Sequence, residues 1–197
     1  MMTIDEMLAK VADITGTAPK SAPSEKEKKT AAEREGVKPE VKTVPDVKEG
    51  ILSNGLSMQP TLNLKLAKGI ACCINRAAEM MNLSVVVAVT DAGGKLILLE
   101  AMDNSYIASV RAAQDKAYTA VALKMPTHEA LKESRGGALD GYTNGDGILM
   151  LGGGYPLKFN ESICGGIGVS GGTKDEDIAL AEIGVRFFNA GITANIE

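Results

Sequence analysis

Tryptophan is absent from this 197-residue sequence, which holds only three phenylalanines and four tyrosines. A core with so few rings must draw on Val, Ile, Leu, Ala and Met, and 22 glycines provide tight turns between the elements. Histidine occurs once, at His128, and cysteine three times, at Cys72, Cys73 and Cys164, with no C-x-x-C pair. That leaves no material for the Cys/His spacing of a tetrahedral zinc site. Neighbours on a helix point about 100° apart, so Cys72 and Cys73 read as small reduced hydrophobes facing different directions. A surplus of positive charge is missing too: 21 Lys and Arg stand against 25 Asp and Glu, a net charge of −4. Nucleic acid and anionic membrane surfaces are therefore not expected partners. No apolar run reaches the roughly 18 residues that span a bilayer, and the N-terminus lacks a basic stretch, apolar core and small-residue cleavage site. The expected location is cytoplasmic.

What is present falls into three regions. In residues 1–15, Ile4, Met7, Leu8, Val11 and Ile14 follow a helical stripe, and Thr3 with Glu6 fits a reciprocal capping box. Residues 16–50 carry four prolines, eight Lys or Arg, seven Asp or Glu and almost no large apolar side chain. Such a segment cannot bury enough surface to offset its chain entropy, so a disordered, charge-balanced linker is predicted. The stripe of residues 1–15 then needs a surface to cover, because a helix this short is marginal alone in water.

Residues 51–197 read as the folded domain. Leu62 to Asn82 has helical spacing, with Asn82 suited to a left-handed stop. Two β-rich runs flank Asp91-Ala92-Gly93-Gly94, a hairpin signal, and the continuous Val85 to Val89 run predicts a strand buried on both faces. Ser105 to Met125 is helical until Pro126, after which Thr127 is expected to cap a short helix from His128 to Ser134. ILMLGGGYPLKF reads as a strand, a glycine turn and a second strand, and ESICGGIGVS as a further strand. Thr173 and Glu176 form a second capping box that opens the last helix, with Gly191 as its expected stop. Two β pieces separated by helices predict an antiparallel sheet with helices on its faces rather than alternating βαβ units.

Gly166, Gly168 and Gly171 have the G-x-G-x-x-G spacing of a dinucleotide loop. That loop needs a second strand and an acidic residue further on, and only 26 residues follow Gly171. Asp175, Glu176 and Asp177 already fill the helix start where a pyrophosphate would sit. A strand-to-helix corner is the better reading, and no nucleotide cofactor is expected. Ser170 lies outside a G-x-S-x-G elbow, and Asp91 and Asp103 suit turns.

Taken together and in order, AVTDAGGKLILLEAMD, DKAYTAVALKMPT, GGGYPLKF and GGIGVSGGTKDEDIALAEIG resemble the signature blocks of the GlcG/HbpS-like, or haem-degrading domain, family. That family includes the C-terminal domain of PduO. The resemblance spans about residues 60–192. It implies an α+β, profilin-like fold with a central antiparallel sheet of about five strands and helices on both faces. It also implies haem as a cofactor and assembly as a homo-oligomer. On the matching blocks it assigns ligand contacts to Lys116, Tyr118, Thr119, Gly153 and Gly154, with Lys116 pairing a propionate-type carboxylate and Thr119 beside the ligand. His128 is the candidate iron ligand, and Met102 and the cysteines are alternatives. Nothing resembles the adenosyltransferase domain of PduO.

The N-terminal helix and linker resemble the encapsulation peptides of bacterial microcompartment cargo. They imply contact with shell or cargo proteins through residues 1–15 and a place in the compartment lumen. The expected function is a haem- or tetrapyrrole-binding accessory protein. Alternatives are a haem-degrading or small-molecule-converting enzyme at the same site and a structural cargo protein without a ligand. Deleting residues 1–15 should leave the domain folded and soluble but stop its co-purification with shells, scored by immunoblot. Unchanged co-purification would refute the docking role of that stripe.

Overall fold

The computed structural model describes residues 58–142 and 144–193. The predicted N-terminal helix (1–15) and linker (16–50) lie outside them, as do residues 51–57 of the expected domain. Helix α1, Leu64–Met80, is capped by Asn63, whose side chain accepts from the Leu66 amide at 2.9 Å. It ends through Asn82 in the left-handed region, φ 54°, which an asparagine tolerates. Strands β1, Val86–Asp91, and β2, Leu96–Ala101, form the expected hairpin. Asp91 Oδ1 fixes its turn by accepting from the Gly93 and Lys95 amides, each at 2.9 Å. Val85 to Val89 is fully buried, as the unbroken apolar run predicts.

Helix α2, Ile107–Leu123, stops ahead of Pro126 through Lys124 at φ 58°, and the short helix α3, Thr127–Glu133, follows. Strands β3, Gly154–Phe159, and β4, Ser162–Ser170, make a second hairpin, and helix α4, Lys174–Thr193, closes the described chain. The sheet order is β2-β1-β4-β3, antiparallel throughout. The profilin-like expectation of helices on both faces holds. Val85, Val87, Val89, Ile167 and Val169 point to α1 and α4, while Val86 and Ala88 point to Ala113 and Ala117 of α2.

Three expectations need correction. Among the described residues the sheet has four strands, not about five, because Ile148 to Leu151 is not a strand and makes only an isolated bridge, Gly145 to Ile148. Backbone groups of this segment bond to side chains instead: the Leu149 amide to Thr119 Oγ1 at 2.8 Å, the Met150 amide to Asn144 Oδ1 at 2.8 Å, and the Leu151 carbonyl to Thr127 Oγ1. Thr127 therefore does not cap α3; Pro126 holds that position, and the Thr127 hydroxyl ties the segment to β3, also accepting from the Gly154 amide at 2.9 Å. Helix α4 runs through Gly191 to Thr193, since glycine permits a left-handed stop without imposing one. The capping box at its start is formed, with the Thr173 amide donating to Glu176 Oε2 at 2.7 Å and the Glu176 amide to Thr173 Oγ1 at 3.4 Å.

The glycines that imitated a dinucleotide loop have a packing role. A Cβ at Gly168 would lie 2.0 Å from the Ala113 carbonyl oxygen, and one at Gly166 would lie 2.6 Å from that of Ala117. Gly154, the cross-strand partner of Gly168, would meet the Lys116 carbonyl at 2.6 Å. Helix α2 thus rests with its backbone directly on β3 and β4. Gly168→Ala should destabilise by about 3 kcal/mol or more. Gly191→Ala, where a Cβ meets nothing within 4 Å, should stabilise by roughly 0.5–1 kcal/mol. Thermal and urea melts of the two variants test the contrast, and equal melts would contradict it.

Candidate functional site

The close seat of α2 brings Lys116 into the interior. Its Nζ donates to Asp177 Oδ2 at 2.6 Å and to the Val169 carbonyl at 2.8 Å, and both side chains are almost fully buried. Asp177 Oδ1 accepts from the Gly172 amide at 2.9 Å. Gly153 makes room for the pair, since a Cβ there would lie 2.6 Å from the Val169 oxygen and 2.9 Å from Asp177 Cβ. Burial lowers the Lys116 ammonium and raises the Asp177 carboxyl from their ordinary values, and each is pulled partly back by the other's charge. The ammonium that the resemblance assigns to an external propionate is matched by a carboxylate of the chain itself.

A second face of α2 carries Arg111, Asp115 and Tyr118, spaced i, i+4 and i+7. With Thr90, Gly94 and Leu96 of the first hairpin and the Asp146-Gly147 turn, they line an open cleft of about 250 Å³. Arg111 Nε lies 2.8 Å from Asp115 Oδ1, with the guanidinium largely in solvent. The Tyr118 ring is held between two glycines: a Cβ at Gly94 would lie 2.9 Å from Cδ2, and one at Gly147 would lie 3.6 Å from Cδ1. The ring is 40% exposed, and its hydroxyl has no hydrogen-bond partner among the described residues. Thr90 is 2% exposed and its Oγ1 is buried without a partner. An unmatched buried hydroxyl is costly; this one faces the packing between sheet and α2, where a Cβ at Gly166 would come within 3.0 Å of it, rather than the open cleft. Thr119 stands behind this wall, donating to the Asp115 carbonyl at 2.6 Å and lying 3.3 Å from the Gly147 oxygen.

The structure therefore separates the predicted residues. Tyr118 lines the cleft, Thr119 supports it, Lys116 turns inward, and Gly153 and Gly154 lie under α2. His128 packs on Tyr155, ring centroids 5.7 Å apart, with Nδ1 buried and unpartnered and Nε2 4.0 Å from Glu129. It does not line the cleft. Sequence reasoning missed Thr90, Leu96, Arg111, Asp115 and Asp146 as cleft residues. The Arg111–Asp115–Tyr118 spacing was the available signal. Asp177 was read as a deterrent to anions at the helix start, and it is instead the buried partner of Lys116.

Among the described residues no group of three or more His, Cys, Asp or Glu is placed to hold a metal ion. Cys72 is exposed and Cys73 buried, in line with their different directions, and burial pushes the Cys73 thiol up to about 11. No described helix is long and apolar enough to cross a membrane.

The family model for haem degrading protein HbpS-like matches residues 62–186. An uncharacterized 15.0 kDa protein of Citrobacter freundii is 38% identical over 132 residues, covering 66% of this chain and 93% of that protein. The corrinoid adenosyltransferase PduO of Citrobacter freundii is 34% identical over 57% of this chain, but the match spans only 34% of PduO. Among solved structures, the Klebsiella pneumoniae protein ORFY aligns with TM-score 0.66 at 36% identity, covering 70% of this chain and 97% of ORFY. A PduOC:heme complex aligns with TM-score 0.61 at 29% identity, covering 64% of this chain and 94% of PduOC.

Lys116→Met would leave Asp177 buried without a counter-charge, and a loss of about 3–5 kcal/mol is expected at neutral pH. Without the ammonium, the Asp177 carboxyl stays raised in the folded chain. A raised acid binds more protons folded than unfolded, so stability falls as pH rises above the ordinary carboxylate range, and the defect eases toward acid. Urea melts at acid and neutral pH check the sign, and the double variant Lys116→Met/Asp177→Leu should recover most of the loss. A Lys116→Met chain as stable as wild type at neutral pH would overturn the pairing.

Proposed function

The chain belongs to the HbpS-like family of haem degrading proteins, and on that premise we propose that it is a haem- or tetrapyrrole-binding accessory protein of a bacterial microcompartment. The observation that carries this reading is the Tyr118 cleft, where a phenol with no hydrogen-bond partner among the described residues and a largely solvent-exposed guanidinium meet on one wall. This donor set fits haem. Tyrosine is a known axial ligand of haem iron, and an arginine fork matches a propionate carboxylate. Tyr118 would hold the iron and Arg111 a propionate, with Leu96 as apolar wall. When bound, haem would supply the redox chemistry of its iron.

Enclosing pockets for drug-sized ligands measure about 300–1,000 Å³, and this cleft is smaller and open. One protomer would cover a porphyrin only in part, which favours a homo-oligomer whose second copy completes the site. Lys116, Thr119, Gly153 and Gly154 serve this site indirectly by fixing α2 and the Asp146-Gly147 turn. Similarity to a PduOC:heme complex supports the ligand, and the resemblance of residues 1–15 and their linker to encapsulation peptides supports the compartment. The match spans a third of PduO, so its adenosyltransferase activity is not carried over. Residues 1–15 would bind shell or cargo proteins and place the domain in the lumen.

Ferric haem titrated into the full chain should give a saturable Soret shift. Tyr118→Phe should weaken binding by about tenfold or more and remove the phenolate-to-iron charge-transfer band, while His128→Ala leaves both unchanged. Lack of saturation would end the haem reading. Loss in His128→Ala with retention in Tyr118→Phe would move the iron to the imidazole. An open-chain tetrapyrrole formed with reductant and oxygen would make the protein a haem-degrading enzyme rather than a carrier.

A further inference from the structure

Away from the cleft, on the opposite face of the sheet, an apolar groove of about 320 Å³ opens between the chain entering α1, the end of β3 and the last turns of α4. Leu62, Leu66, Phe159, Phe188 and Ile192 line it. Leu62 and Phe188 are buried, whereas Leu66, Phe159 and Ile192 are half-buried members of the main core cluster. Its rim includes Pro60 and Ile192, close to where the described chain begins and ends.

We propose that this groove receives residues 4–11 of the same chain, docked as a helix through Ile4, Met7, Leu8 and Val11. Those four positions have the i, i+3, i+4, i+7 spacing of helix-in-groove anchors. The described chain begins beside this groove, with Pro60 in its lining, so the preceding segment has only to fold back to its own point of departure. Residues 12–57 provide the tether. As a random coil of 46 residues they reach about 35–40 Å, enough to bring the stripe back at an effective concentration near millimolar. Residues 194–197 offer one large apolar side chain, Ile196, too little to fill the groove.

The docking is independent of haem binding. It concerns the same stripe that the microcompartment reading gives to shell proteins, so groove and shell would compete for it, and the domain would store its own targeting segment until a shell surface displaces it.

Hydrogen exchange of the full-length chain, followed by mass spectrometry, tests this. Amides of residues 4–11 should exchange about tenfold or more slower than an unstructured peptide of the same sequence. Leu8→Asp in the segment and Leu66→Asp in the groove should each abolish that protection while β1 and β4 keep theirs. Leu8→Asp lies outside the folded domain, so its result stands even if Leu66→Asp fails to fold. Protection should survive about tenfold dilution, because the contact is intramolecular. Free exchange of residues 4–11 in wild type, protection insensitive to Leu8→Asp, or protection lost on dilution, which would indicate a second copy, overturns the inference. Haem titration of Leu8→Asp should match wild type, separating failure of the docking from failure of the haem reading.

Discussion

Side chains normally hold a helix off the sheet beneath it. Here Gly154, Gly166 and Gly168 remove them along two adjacent strands, and the α2 backbone descends onto β3 and β4. Each residue of the candidate site on α2 takes its position from that contact. Lys116 is close enough to reach the Val169 carbonyl and Asp177 across the sheet, Thr119 meets the backbone of the following loop, and Tyr118 is left at the surface between two turns.

The Lys116–Asp177 pair contributes more to geometry than to net stability. Removing two charges from water offsets most of their attraction, so a buried pair is weak evidence of stabilisation. It joins the middle of α2 to the first turn of α4 through the end of β4, and so couples helices on opposite faces of the sheet. A shift of α2 along its axis would strand a charge. The pair therefore sets the register of the helix that carries Arg111, Asp115 and Tyr118, and through it the shape of the cleft.

Much of this was legible in the sequence where a local rule decides the outcome. Asp91 with Gly93 and Gly94 specified the first hairpin, Thr173 with Glu176 the start of α4, and the Val85 to Val89 run the central strand. The resemblance blocks brought the fold class with them. What stayed hidden depends on tertiary partners. Lys116 looks like a surface lysine until β4 and α4 bring it a carbonyl and a carboxylate. Thr127 looks like a cap until its hydroxyl meets β3, and Ile148 to Leu151 looks like a strand until threonine and asparagine side chains take its hydrogen bonds. Thr90 gave no signal, because an unmatched hydroxyl becomes visible only once its neighbours are known.

The sheet order has a consequence for how this domain meets other chains. Its outer strands are β2 and β3, and they are not equivalent. β3 carries Pro156, and a proline has no amide to donate to an added strand. β2, Leu96–Ala101, contains no proline, but the step from Leu98 to Leu96 against Val89 and Thr90 puts an extra residue, Ile97, in its ladder, and such a bulge twists an edge away from further pairing. The two margins are thus guarded by different means, a missing donor on one and a local twist beside the mouth of the cleft on the other.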